Sequence, residues 1–503
     1  MQGWKNPNQK KMKLFKALTA KLQTNLFKNS LWGILSNIFQ NILFSVFFIV
    51  IARQYDTHDF ANYIIANTLY SFVAGFSTLG LGSWFIRELM HSEDKKALID
   101  KFLKIQLYLG LVFYVFNVGL SFVLYDSSII RSLSLIIGIN VIFDNLIYMI
   151  KFMNIAQFEQ KKSFVILTVE ALLKFLLACL LLIKTVPIIY LCVMLIVLRL
   201  VTLNLFIKFG SSNQINIRHI LYAKVDRQEV KKIVAANWSF VIIASISVIY
   251  WRIGNIIVSK YLTLADVANY EVSYRLFSMA EILPVIVASS IYPLMINAHK
   301  LGVPNMKPIY KNAFLAYAAY GLMAYTFVYS YSDIIIPFLF GEKYLLTAAY
   351  CNEMFLTILI FPTALIQAHV LLTMKLEKLD MLCNVASLVI NLLLCFIGLH
   401  YFKSLSVINY AIFFSFLAFH VVQDIVLIRR KVTTVLHVTS FYAGSAAIVF
   451  GFYFLSDYIN KIYLYFIFWS VLGLIFAGVF FKWFYKKNVP VISQPETVDT
   501  LIP

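Results

Sequence analysis

Asp59-Phe60-Ala61-Asn62-Tyr63 opens one long apolar stretch of this chain, and Asp266-Val267-Ala268-Asn269-Tyr270 opens another, 207 residues further on. At the same offset Leu69 meets Leu276, Ser71 meets Ser278, and Arg53 is replaced by Lys260. The thirteen positions from 59 to 71 share six identities, enough to divide the chain into related halves. Fourteen apolar stretches surround this repeat, at 31–52, 61–85, 105–125, 132–153, 164–183, 186–209, 238–259, 269–296, 313–331, 348–374, 379–401, 405–428, 438–457 and 461–485. Each is near the roughly 20 residues that cross hydrocarbon. Six spans separate the two repeats, so both run in the same direction and a pseudo-two-fold axis is expected along the membrane normal.

The predicted fold is therefore an all-α polytopic membrane protein of about 14 helices: two six-helix lobes around a central cavity, plus two C-terminal helices. The expected boundaries are a basic arm at 1–30, an N-lobe at 31–209, a linker at 210–237, a C-lobe at 238–428, spans 13 and 14 within 429–485, and a tail at 486–503.

Charge sets the orientation. Of 43 lysines and arginines, 32 fall in or beside every second gap and seven in the others, which places the basic gaps, the arm and the tail in the cytoplasm. The opposite gaps hold isolated cations such as Arg53, Arg131, Lys184 and Lys260. An apolar content of 61% with 13% charged residues excludes a soluble chain and leaves little surface for a separate globular domain. The net charge of +19 is spread over short loops, which suits anionic membrane lipids and argues against nucleic acid. The five cysteines lie in or at the edge of spans without metal-ligand spacing, and no metal or cofactor is expected. The first span starts at Leu31 without a small-residue cleavage signal and is expected to be retained. Before it Leu14, Leu18, Leu22 and Leu26 recur among lysines, as in a helix lying on the inner leaflet or in a basic tail.

Several loose motifs fall in a consistent order. Asn29 to Trp32 opens the first span, and Leu79-Gly80-Leu81-Gly82 with Arg87 closes the second. Asn237-Trp238-Ser239-Phe240, Tyr250, Lys260, Asn269-Tyr270, Arg275 and Pro293 mark the seventh and eighth, and Phe340-Gly341-Glu342-Lys343-Tyr344 precedes the tenth. In these residues the chain resembles the multidrug/oligosaccharidyl-lipid/polysaccharide (MOP) exporter superfamily, in its polysaccharide branch of O-antigen flippases. The resemblance implies a non-enzymatic function in the bacterial inner membrane. It would move an undecaprenyl-pyrophosphate-linked oligosaccharide to the outer leaflet, coupled to an H+ or Na+ gradient, with a polysaccharide polymerase as a further partner. One departure matters: where the family pattern has an acid in the seventh span, this chain has Gly254-Asn255, so a coupling role is not carried over there.

The cations well inside spans are Lys174, Arg199, Arg252 and Arg275. Each costs about 2.5–3.5 kcal/mol at mid-membrane unless it faces water or a partner. Guanidinium forks suit a pyrophosphate, because they donate two hydrogen bonds at once. Arg252 and Arg275 correspond by the repeat to Ser45 and Thr68, so the second lobe carries the charge at these positions. The expected head-group site is Arg252 and Arg275 with Lys174, and Arg199 as a further candidate. Helix spacing offers a plainer role for two of them, since Glu170 with Lys174 and Glu271 with Arg275 are both i, i+4 pairs. Asp144, Glu170 and Glu281 are the candidates for ion coupling, with structural pairing as their alternative. Asp424, close to Arg429 and Arg430, is expected to be interfacial, and Pro284, Pro293 and Pro362 are expected to interrupt spans 8 and 10. The rival functions are a cation-coupled multidrug exporter of the same superfamily and a membrane glycosyltransferase or polymerase. The short outer loops disfavour the second, and the lack of a P-loop disfavours direct drive by ATP.

Overall fold

The computed structural model describes residues 25–157, 159–211, 215, 222–456, 458, 459 and 461–485. The basic arm before Asn25, much of the 210–237 linker and the 486–503 tail lie outside these. The described chain is helical. The helices are α1 (Asn25–Gln54), α2 (Thr57–Ser77), α3 (Gly82–His91), α4 (Lys95–Leu124), α5 (Ser128–Gly138), α6 (Asn140–Ala156), α7 (Gln160–Ile183) and α8 (Ile188–Phe209), then α9 (Arg227–Tyr261), α10 (Leu264–Lys300), α11 (Val303–Phe340), α12 (Thr347–Phe355), α13 (Phe361–Thr373), α14 (Glu377–Tyr401), α15 (Leu405–Arg429), α16 (Val435–Leu455) and α17 (Ile462–Tyr485). Taking α2 with α3, α5 with α6 and α12 with α13 as single crossings, these helices fall on the fourteen expected spans. Ten are long and apolar enough to cross a bilayer, counting α5 with α6 and α12 with α13 as one each.

The repeated motif is a helix start. In α10 the Thr263 hydroxyl accepts from the Asp266 amide at 3.2 Å while the Asp266 carboxylate accepts from the Thr263 amide at 3.0 Å, a reciprocal capping box. In α2 the Asp56 carboxylate takes the Asp59 amide at 2.8 Å. The next conserved pair, Ala61 and Ala268, is fully buried, so the small residue allows close packing just after each cap.

The chain divides into two compact units, Met1–Tyr442 and Ala443–Pro503. Within the first, α1 packs along α7, α4 along α6, and α14 along α15. The two halves meet where α2 lies against α9 and α10, and where α1 touches α10 and α11. Gly254 in α9 makes one of the close approaches of the second half: a Cβ there would stand 2.3 Å from the Tyr270 hydroxyl of α10. In the second unit Phe452 packs edge-on against Tyr465.

The prolines behave differently from expectation. Helix α10 runs without interruption through Pro284 and Pro293. Pro284 cannot donate to the Ala280 carbonyl, and the Tyr320 hydroxyl of α11 takes that carbonyl instead at 2.6 Å. The freed acceptor is satisfied from a neighbouring helix, which is how a membrane helix keeps an internal proline. Span 10 does break, in a 3-10 turn at Leu356–Leu359 just before Pro362. Gly321 accommodates the displaced backbone, since a Cβ there would lie 2.5 Å from the Ile358 carbonyl oxygen.

Candidate functional site

A cavity of about 460 Å³ lies among α1, α2, α7, α8, α9 and α10, and its walls carry Lys174, Arg199, Arg252 and Arg275 together. All four cations singled out in the sequence thus converge, from both halves of the chain.

On the N-terminal side the charges are matched. Arg199 of α8 donates through Nε to Asp144 at 2.6 Å and through Nη1 to Glu170 at 2.5 Å. Lys174 pairs with Glu170 at 2.8 Å across one helical turn, and its ammonium also lies 4.8 Å from the Phe44 ring. Tyr70 donates to the other oxygen of Asp144. Asp144 therefore stands behind Arg199, and with Glu170 it balances the two cations there. Both carboxylates are engaged by these cations in this arrangement.

On the C-terminal side the charges are not matched. Glu271 of α10 is 5% exposed and accepts from Asn255 at 2.5 Å. Asn255 of α9 thus holds the carboxylate of Glu271 on α10. Its ion-pair contact is Arg252 at 3.9 Å, a loose approach across two helices rather than the i, i+4 pairing of Glu271 with Arg275. The Arg275 guanidinium stacks 5.1 Å from the Phe48 ring, and its buried Nε has no hydrogen-bond partner. Arg252 lies 5.7 Å from the Tyr274 ring. Glu271 meets Arg252 alone within ion-pair distance among the described residues, so the uncompensated positive charge of the cavity is concentrated on Arg252 and Arg275. An anion entering the cavity would supply the acceptors they lack.

Glu281 does not join this site. It lies six residues beyond Arg275 on α10, and its buried Oε1 has no hydrogen-bond partner. Lys151 was missed: it follows Asp144 by seven residues on the same face of α6 and lies in the field of Arg199, Asp144 and Glu170. That heptad spacing is readable in the sequence, but Lys151 sits near the C-terminal end of its helix, beside the loop cations.

Asp424 is a correction. It is 2% exposed rather than interfacial, and accepts from Gln367 at 2.6 Å and Tyr442 at 3.0 Å, with His420 3.0 Å away. The signal was His420 one turn earlier in an apolar helix.

At the cation-poor ends of the helices the halves are clamped together. Arg53 donates to the Phe338 carbonyl at 3.0 Å, and Lys343 donates to the carbonyls of Arg53 and Tyr55. Lys260, which corresponds to Arg53 by the repeat, donates to the Leu124 carbonyl, and Tyr125 bonds Ser259 at 2.5 Å. Partial burial holds the Lys343 ammonium below the ordinary lysine range, with Asp56 opposing the shift.

Residues 26–299 match the sequence profile of a family described as polysaccharide biosynthesis protein. The chain belongs to this family. No curated protein matches it in sequence. The fold of this polysaccharide biosynthesis protein is similar to that of a lipid II flippase, MurJ, in an inward closed conformation. The TM-score is 0.68 at 14% identity, over 90% of this chain and 99% of that one. It is also similar to an inward-facing multidrug resistance MATE transporter of the MOP superfamily, with a TM-score of 0.62 at 12% identity over 78% and 94% of the two chains. A MOP transporter from Pyrococcus furiosus gives a TM-score of 0.55 at 12% identity, over 83% and 96%. The family and the fold together make the chain a multi-pass membrane protein of polysaccharide biosynthesis with the MOP architecture.

Proposed function

We propose that this protein flips an undecaprenyl-pyrophosphate-linked sugar repeat unit across the bacterial inner membrane by alternating access, for O-antigen or related surface polysaccharide, with both termini in the cytoplasm. The observation that carries this is the pair Arg252 and Arg275 in the cavity, where Glu271 meets Arg252 only loosely, at 3.9 Å, and Arg275 keeps a buried Nε without a hydrogen-bond partner. A cavity for organic cations would need the opposite excess. The boundaries of the two lobes at 31–209 and 238–428 fit the reading, because the cavity is built from helices of both. Transport rather than catalysis is the activity, and coupling to H+ or Na+ supplies the drive. Glu281 remains a coupling candidate, since Asp144 and Glu170 are engaged by Arg199 and Lys174.

In a strain lacking the protein, surface glycan is expected to disappear while lipid-linked precursor accumulates on the cytoplasmic face, and the wild-type chain restores both. Normal surface glycan with raised sensitivity to cationic drugs would overturn the proposal in favour of a multidrug exporter.

The clamps at the cation-poor ends close the outer side in this reading. A hydrogen bond to a charged donor contributes about 1.5–3 kcal/mol. Removing both clamps in Arg53→Ala and Lys343→Ala with Lys260→Ala is expected to shift the population toward outward-open by roughly tenfold or more. Thiol labelling of a cysteine placed at Ala61, buried beneath the clamps, reads this shift as faster modification. Unchanged labelling would show that other contacts hold the outer side.

A further inference from the structure

A second polar cluster lies apart from the cavity, around His420 and Asp424 of α15. His420 is fully buried and Asp424 is 2% exposed. Every polar side-chain atom of the two has a partner. The imidazole Nδ1 meets the Tyr442 hydroxyl at 2.6 Å and Asp424 at 3.0 Å, and Nε2 meets the Thr363 hydroxyl at 3.0 Å. The remaining Asp424 oxygen accepts from Gln367 at 2.6 Å. Among the described residues no lysine or arginine reaches Asp424 within ion-pair distance.

The charge of this pair follows from burial. With one proton between them, as imidazolium and carboxylate or as imidazole and carboxylic acid, the pair is neutral. Without that proton it leaves a bare anion inside a membrane protein, which is costly. The contacts also join three helices, α13, α15 and the start of α16. Thr363 stands just after Pro362, where span 10 resumes as a helix beyond its 3-10 turn, and Tyr442 belongs to α16.

We propose that His420 and Asp424 form a proton-binding site whose occupancy holds α13 and the start of α16, up to Tyr442, against α15, and whose deprotonation releases them. The proposal deepens the transport reading, because it names the site through which a proton gradient would bias alternating access. The state that binds the extra proton is favoured at low pH. The closed arrangement is therefore stabilised by acid, and the opened one gains population as pH rises. A single linked proton moves that ratio by at most ~tenfold per pH unit.

Other titratable groups surround the pair. They are Tyr310 and Lys311 on α11 and His437 and Tyr442 on α16, with Arg429 and Arg430 further along α15, while His369 of α13 meets the Leu365 carbonyl and the Tyr292 ring and Asp380 of α14 accepts from Asn384. Glu353 of α12 is engaged near the other end of α15 by Ser406 and Asn409, and Tyr250 of α9 bonds Ser415.

The test needs no substrate, so its failure is distinct from failure of the flippase reading. Spin labels at Lys375→Cys and Leu436→Cys, exposed positions beside the ends of α13 and α16 that the pair joins, report the separation of those helices in a Cys179→Ala background. In wild type that distance is expected to lengthen as pH rises. Asp424→Asn and His420→Gln are expected to abolish the dependence, and the milder Tyr442→Phe to displace its midpoint. His437→Gln and Asp380→Asn are expected to keep it. A wild-type distance that does not change with pH overturns the proposal without any variant, and so does a full response in Asp424→Asn.

Discussion

Replacing Arg252 and Arg275 together with alanine is expected to lower translocation roughly a hundredfold or more, with each charge-assisted hydrogen bond contributing about 1.5–3 kcal/mol. The geometry explains the size. Arg275 has an unsatisfied buried Nε, and the nearest acid to Arg252 stands at 3.9 Å, so neither guanidinium is fully used within the protein. The double variant also strips Glu271 of its cation, which by itself weakens the fold. Adding Glu271→Gln removes that orphaned carboxylate while Asn255 can still bond the amide. The triple variant is therefore expected to regain membrane abundance and to remain inactive. Arg252→Lys keeps the charge without the fork and should fall between. Wild-type transport by the triple variant at matched abundance would remove these arginines from the substrate path.

The second large effect concerns Arg199, and it is on stability. Arg199 joins two carboxylates from two other helices, one of them, Glu170, with a side chain only 1% exposed. Arg199→Ala leaves Asp144 with Tyr70 alone and Glu170 with Lys174 alone. Breaking a buried pair by removing one partner costs about 3–5 kcal/mol. Thermal unfolding in detergent is expected to show a large loss for Arg199→Ala. Combining Arg199→Gln with Asp144→Asn and Glu170→Gln removes the charges together and should recover most of it, because neutral amides can hydrogen-bond where ions could not stand alone. If Arg199→Ala unfolds like wild type, Arg199 is held for substrate rather than for structure.

The spans were legible because a bilayer demands long apolar helices, and the repeat was legible because helix starts need their caps. The cations of the cavity were also legible, since a charge inside a span has few uses. Their partners were not. Arg199 meets Asp144 from 55 positions away, and helix spacing alone favoured Glu271 with Arg275 where the fold gives Glu271 to Arg252. Pro284 is expected from sequence to break its helix, but Tyr320, which satisfies the freed Ala280 carbonyl, lies 40 residues beyond Ala280. Asp424 was assigned by nearness to Arg429 in sequence, whereas α11, α13 and α16 bury it. In each case the missing information is which helix lies beside which, and hydropathy does not contain it.

The central claim is tested most directly by purified protein in proteoliposomes loaded with an undecaprenyl-pyrophosphate oligosaccharide, scoring the sugar that becomes accessible to an impermeant lectin on the opposite leaflet. The account predicts that wild type moves the sugar across and that the Arg252→Ala, Arg275→Ala, Glu271→Gln variant does not. Proteoliposomes in which wild type leaves the sugar on its original leaflet, yet extrudes a fluorescent organic cation, would contradict it.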